Sequence, residues 1–374
     1  MSLEYLTQTK LQDYRATIEG LPGYIAGLPS YPRNFSRDVF LAGILMMDAD
    51  QLQTQFHLSH KYQGSRDDAQ TGEEVGKIHH EYPGVSMDGR GDFLTTYNAC
   101  DTTSLFLIGI EALEQTNKEL FQQILANQQS KIIMAVSYIL KHLHQNIFYE
   151  TPPLGVEQYA LKVTYWKDSI APDPLGKEEL AYPIAYALAH FQAARGVLSA
   201  ARILNHRGLE LAAEAMYEAG IKDFLKSNEF VLARGRKYKL AQASSDELHC
   251  LAYIPAGYQS SIPINEINKR AQLLTTDAGF ACTPQDIAKH LSDPYHGYVV
   301  WPFEQAFIHY GALKFKMPIN TEIAERVIPF IDAGNELLQI DPEIIPAGNS
   351  RQLWSVAADM YFKNGSKLKQ NMWL

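Results

Sequence analysis

The stretch EELAYPIAYALAHFQAARGVLS, residues 178–199, sets Leu180, Ile184, Leu188 and Phe191 on one stripe of a helix. Its flanks decide the fold. A long connection, 144–177, precedes it, and a brief one, 200–207, leads to the next helical stretch. The preceding stretch, 118–143, carries the same kind of stripe in Ile132, Val136, Ile139 and Leu143.

Working outward, long connections fall at 20–35, 62–97, 144–177, 228–263, 292–301 and 337–349, and short links fall near 48–49, 114–117, 200–207, 276–283 and 316–320. Short links join antiparallel helices at one end, so the long connections collect at the other. Twelve candidate helices in this alternation make six hairpins. A ring of six hairpins buries both faces of many amphipathic helices, which predicts an all-α (α/α)6 toroid spanning residues 1–374 as one catalytic domain. Pro302, just after Trp301, suits a first helical turn. The β signal is sparse: Phe230-Val231-Leu232 and Tyr238-Lys239-Leu240 bracket Gly235 and predict a small hairpin inside a long loop.

The chain has 33 Lys+Arg against 42 Asp+Glu, a formal net charge of −9, which argues against a nucleic-acid or anionic-membrane surface. No apolar run approaches the ~18–20 residues that span a bilayer. The start, MSLEYLTQTK, lacks the layout of a secretory signal. Cys100, Cys250 and Cys282 are odd in number and lack zinc-type spacing, so a reducing compartment, the cytoplasm, is the expectation. No GxxxxGK[ST] loop is present, and no nucleotide or other cofactor is expected. His79-His80-Glu81 lacks the second histidine of a zincin helix, so no metal is expected either.

Two groups of carboxylates stand out. Asp168, in TYWKDS (164–169), lies beside Tyr165 and Trp166, and a carboxyl held among rings has its pKa raised, which suits a general acid. The loop GNELLQIDPEIIPAGNSRQLWS (334–355) carries Glu336, Asp341 and Glu343, any of which could serve as base on these grounds alone. A glycosidase needs two carboxyls flanking one sugar bond, and a closed ring can bring such distant segments together. Trp166, Trp301 and Trp354 all sit beside long loops, and sugar rings stack their C–H faces on aromatic planes.

Several segments taken together resemble the amylo-α-1,6-glucosidase domain of glycogen debranching enzymes and related six-hairpin inverting α-glycosidases. They are FSRDVFLAGIL (35–45), GKIHHEYPG (76–84), TYNACDTTSLFL (96–107), YHGYVVWPFEQAF (295–307) and GNSRQLWSVAA (348–358), in that family's order. The resemblance implies that Asp168, at the end of the family's tryptophan-Met-Asp triplet, is the general acid. It implies Glu336 as general base, sixteen residues before Gln352, with Glu343 in reserve. By the same correspondence Arg37, Asp38, His80, Glu81, Tyr97, Asp101, Trp166, His296, Trp301 and Trp354 would line the sugar subsite. Lys167 replaces the triplet's Met, Gly297 an Asn, and Leu353 an Ala.

The implied activity is exo-acting hydrolysis of a small-molecule or oligosaccharide α-glycoside with inversion. The compact length resembles relatives that cleave mannosylglycerate or glucosylglycerate. Sugar, linkage and oligomeric state stay open. Rival readings are a sugar epimerase or lyase on the same toroid, with protons carried by histidines among His79, His80, His190 and His296, and a non-catalytic carbohydrate-binding protein.

Overall fold

The computed structural model describes residues 10–84, 95–157, 159–169, 182–226, 229–235, 238–291, 293–332 and 334–364. Six helices form an inner ring: α1 (Ser36–Met46), α3 (Thr102–Thr116), α5 (Ala187–Ile203), α7 (Asp246–Cys250), α9 (Pro302–Lys314) and α11 (Leu353–Lys363). Each packs on the next, and α11 packs back on α1, so the ring closes. Outer helices complete five hairpins among the described residues: α2 (Ala49–Lys61), α4 (Lys118–Lys141), α6 (Arg207–Gly220), α8 (Ile264–Ala271) and α10 (Pro318–Glu325).

Burial explains the contrast between the two rings. Every residue of α1 is buried, as are the first twelve residues of α3. Helices hydrophobic on all sides belong in an interior, whereas α6 keeps a single apolar stripe of Leu209, Ala213, Met216 and Tyr217. One continuous apolar cluster joins all six inner helices, and a smaller one, Ala278, Val300, Val327, Ile331 and Leu338, sits under the last long connection.

Two expectations are corrected. The helix read over 178–199 begins only at Ala187, because Ala185–Tyr186 pairs with Val231–Arg234 in a sheet and Pro183 cannot donate to a helical turn. The fourth hairpin does not turn at 276–283, where Thr275–Thr276 pairs with Gly279–Phe280. It turns instead over 251–263, between α7 and α8. Helix α7 has five residues, all buried, so no apolar period marked it inside the connection 228–263. The last helix has Gln352 at its N-cap position.

The expected hairpin forms between Val231–Arg234 and Lys239–Ala241. Other short ladders tie the long connections to one another, among them Val299–Val300 beside Leu337–Gln339 beside Ile345–Ala347, and Gly27–Leu28 beside Arg351–Gln352. No helix among the described residues is long and apolar enough to cross a membrane. Cys100, Cys250 and Cys282 are free and buried.

The N-terminal ends of the inner helices are fastened together at one end of the ring. Arg37 in α1 pairs with Asp101 at the start of α3, Tyr165 joins the N-cap Tyr186 of α5 to Asp246 of α7, and Lys167 bridges Asp246 to Glu304 of α9. Helix N-termini carry partial positive charge, a setting that favours carboxylates and other electron-rich groups.

Candidate active site

A hollow opens at those N-termini, with about 430 Å³ of free space when the part open to solvent at its mouth is counted. Asp168 and Glu336 both line it.

Glu336 lies just before the Leu337–Gln339 strand, and its carboxyl is buried. Oε2 accepts the backbone N–H of Asn349 at 2.7 Å, and the Tyr295 hydroxyl also hydrogen-bonds to the carboxylate. Burial raises its pKa, Tyr295 and Asn349 oppose that rise, and the negative charge of Asp168 adds to it. Tyr295 in turn meets the Tyr31 hydroxyl at 3.0 Å.

Asp168 keeps 60 % of its side chain exposed. Crowding by protein still raises its pKa, with Arg37 and Lys162 opposing. Its neighbour Ser169 places Oγ 2.7 Å from His296 Nδ1, and Asp168 Oδ1 stands 3.8 Å from the same nitrogen. Serine and carboxylate on one nitrogen do not make a nucleophilic triad, which needs them on opposite nitrogens of the ring. Burial, with Lys167 and Arg37 nearby, holds His296 neutral by pushing its pKa well down.

The start of α1 supplies the cationic wall. Asn34–Phe35 pairs with Glu81–Tyr82, and the Ser36 N–H donates to the His80 carbonyl at 2.9 Å, which sets His80 beside Arg37. Asp101 accepts Arg37 Nε on both oxygens at 2.9 Å. Arg37 Nη1 lies 3.3 Å from His80 Nε2, and Asn98 Oδ1 lies 3.0 Å from His80 Nδ1. With the proton on Nδ1 the ring accepts from Arg37, and its pKa is pushed well down by burial and by that guanidinium. Asp38, one residue on, accepts Gln352 Nε2 at 2.9 Å. Burial pushes its carboxyl up to about 8 against the pull of Arg37, and Glu336 and Asp101 push it the same way.

The floor is aromatic. Trp301 meets Trp166 and Trp354 edge to face at 5.5 and 5.7 Å, His296 stacks on Trp301 at 5.1 Å, and Phe303 stacks on Trp354 at 4.3 Å. The tryptophans were expected as rim platforms for sugar faces, yet all three are buried and pack on one another. Their indole Nε1 atoms, and His296 Nε2, are buried without a hydrogen-bond partner among the described residues. Unmet donors at the base of a polar hollow match hydroxyl oxygens.

Of the residues expected here, Arg37, Asp38, His80, Trp166, Asp168, His296, Trp301, Glu336 and Trp354 line the hollow. Glu81, Tyr97 and Asp101 do not. Glu81 is engaged by Arg33 at 2.5 Å, Tyr97 donates to the Tyr62 carbonyl at 2.7 Å, and Asp101 acts from behind by holding Arg37. Glu343 and Asp341 are exposed, Asp341 accepting Gln285. Of the four histidines, His79 and His190 lie off the hollow, paired with Asn34 and with Phe148 and Met216. The sequence reading missed Tyr31, Phe35, Tyr295 and Gln352 as lining residues. Tyr295, Phe35 and Gln352 each stood inside a quoted segment, so all three had a signal; Tyr31 had none.

Asp246, His249 and Glu304 lie close enough to share a cation, and the Lys167 ammonium occupies that position, 3.0 Å from Asp246 and 3.2 Å from Glu304.

No family profile matches the chain, and no curated protein matches it in sequence. Among solved structures it is similar to the GH63 mannosylglycerate hydrolase of Thermus thermophilus. In complex with glucose that enzyme superposes at a TM-score of 0.67 and 10 % identity, covering 97 % of this chain and 100 % of that one. The complex with Tris and D-glycerate gives 0.65 with the same identity and coverage. A rhamnosidase from Klebsiella oxytoca with rhamnose bound gives 0.55 and 11 % identity over 96 % of this chain and 62 % of that one. At such identities the likeness is one of fold: the chain adopts the six-hairpin toroid of these glycosidases.

Proposed function

We propose that this protein is a glycoside hydrolase acting from the end of a small α-glycoside with inversion, with Asp168 as general acid and Glu336 as general base. The observation that carries the reading is that these two carboxyls, far apart in the chain, line one hollow together. In an inverting mechanism the acid protonates the leaving oxygen while the base takes a proton from water on the opposite sugar face, at a separation of roughly 6.5–9.5 Å.

Their settings suit those roles. Glu336 is buried and held by Tyr295 and by the Asn349 N–H, bonds that favour the carboxylate and point it at a fixed place. Asp168, on the open side, has its pKa raised and, among the described residues, no lysine or arginine bonded to it, as a proton donor to a departing group requires. Arg37, Asp38, His80 and the three indole N–H groups would bind sugar hydroxyls. A floor closed by tryptophans supports attack at a chain end rather than within a polymer.

For substrates, α-glucosides, α-mannosides and glycerate glycosides are the first choices, since the similar GH63 structures carry glucose or D-glycerate and a mannosylglycerate hydrolase name. A hydrolysis screen over these three classes tests the reading. Release of a free sugar supports it, and sugar binding without turnover on every member of the panel would contradict it. Conversion of a free sugar at unchanged mass would favour an epimerase.

A further inference from the structure

Alternate residues of the segment 165–168 face opposite ways. Trp166 and Asp168 line the hollow. Tyr165 and Lys167 reach inward to the first turns of two inner helices: the Tyr165 hydroxyl donates to Asp246 Oδ2 at 2.7 Å, and the Lys167 ammonium lies 3.0 Å from Asp246 Oδ1 and 3.2 Å from Glu304 Oε1. The ammonium also donates to Ser245 Oγ at 2.6 Å and to Ser244 Oγ at 3.3 Å, and Ser245 Oγ donates to Glu304 at 2.7 Å. Lys167, Asp246 and Glu304 have no exposed side-chain surface.

We propose that Lys167 is a positioning residue: its buried ammonium, shared between Asp246 and Glu304, pins the segment that carries Asp168 to the N-terminal ends of α7 and α9. The inference rests on the assignment of Asp168 as general acid.

A fully buried lysine is costly unless its charge is met, and here two carboxylates and two hydroxyls meet it in a fixed geometry. A methionine, the residue the resembling family carries at this place, has no donor and would leave the segment held by apolar contact alone. Among the described residues no other side chain hydrogen-bonds to the Asp168 carboxyl, and His296 Nδ1 stands 3.8 Å from its Oδ1. The lysine one residue earlier therefore sets the height and rotation at which the acid meets the leaving oxygen. Displacement of a catalytic group by about 1 Å can cost roughly 100-fold in rate.

The test compares Lys167→Met with the double variant Lys167→Met/Glu304→Gln. The double variant removes one positive and one negative charge together, so it spares the fold the extra buried negative charge that the single variant leaves, and Asp246 keeps the Tyr165 hydroxyl as donor. The expected result is a double variant with wild-type far-ultraviolet circular dichroism, kcat lowered at least 10-fold, and KM within about 3-fold of wild type. Lys167→Arg, which keeps the donors, is expected to regain part of the lost kcat. A double variant that regains both wild-type melting and wild-type kcat would show that the lysine merely balances charge, and would overturn the proposal while leaving the hydrolase reading intact. A wild-type protein with no hydrolytic activity would overturn both.

Discussion

Gly348 lies against the carboxyl of Glu336 so closely that a Cβ at position 348 would stand 2.6 Å from Oε2 and 3.1 Å from Glu336 Cβ. The backbone there has φ +70, which L side chains rarely adopt, and the next N–H, that of Asn349, donates to the same oxygen at 2.7 Å. The carboxyl proposed as base is thus seated by a turn whose backbone and close contact favour glycine. Gly348→Ala is expected to move Glu336 and to lower kcat by about 10- to 100-fold, with KM changed less. Steady-state kinetics decide it, and wild-type kcat in a folded Gly348→Ala protein would remove the turn from the mechanism.

Asp168→Asn and Glu336→Gln replace the two carboxyls by near-isosteres. General acid or base action contributes about 10²- to 10⁴-fold, so each variant is expected to lose at least 100-fold in kcat with an unchanged circular dichroism spectrum. Substrates with a good leaving group need less protonation, so they should rescue Asp168→Asn and leave Glu336→Gln inactive. Equal rescue of both would reverse or remove the assignment.

The pH profile follows from the same pair. In the proposed mechanism turnover requires Glu336 ionised and Asp168 protonated, so the acid limb should report Glu336 and the basic limb Asp168. Burial raises the pKa of Glu336 and the charge of Asp168 raises it further. Across the acid limb Asp168 is already protonated and uncharged, so Asp168→Asn, followed with an activated substrate, should leave that limb in place and abolish the basic limb. A basic limb that persists in Asp168→Asn would mean that another group is the acid.

Asp38 gives a stability prediction of definite sign. Its carboxyl is pushed up to about 8 by burial, above the ordinary value of 3.8. Between those values the folded chain holds a proton that the unfolded chain has lost, so this group's contribution is fully present below about pH 4 and disappears as pH rises through 8. Asp38→Asn should therefore melt higher than wild type at pH 8–9, by roughly 2–5 °C, and lose that advantage near pH 4. It should also bind sugar less well. Thermal melts across pH measure the first effect, and parallel melting curves at all pH values would contradict it.

Much of this architecture was legible because connection length carries topology. The alternation of long and short links placed the site at one end of the ring, and the segments around Arg37, Trp166, His296, Glu336 and Trp354 meet there. What stayed hidden has physical causes. Helix α7 is too short and too buried to show a period, and the pairing of Ala185–Tyr186 with Val231–Arg234 is a long-range contact that overrides local helical pattern. Glu81, Tyr97 and Asp101 matched motifs yet point away from the hollow, since resemblance in sequence does not say which face of a loop a side chain takes. Lys167 is the sharpest case. It stands where the resembling family has a methionine, and nothing near it in sequence names its partners, which the alternation of the segment supplies by turning it inward to Asp246 and Glu304.

The account stands on an acid and a base working from opposite faces of one sugar ring, and proton NMR of freshly released product tests that most directly. Followed from the first minutes of hydrolysis, before mutarotation, an α-glycoside should yield the β-anomer. First appearance of the α-anomer would mean a retained configuration and would contradict the assignment of Asp168 and Glu336 as an inverting pair.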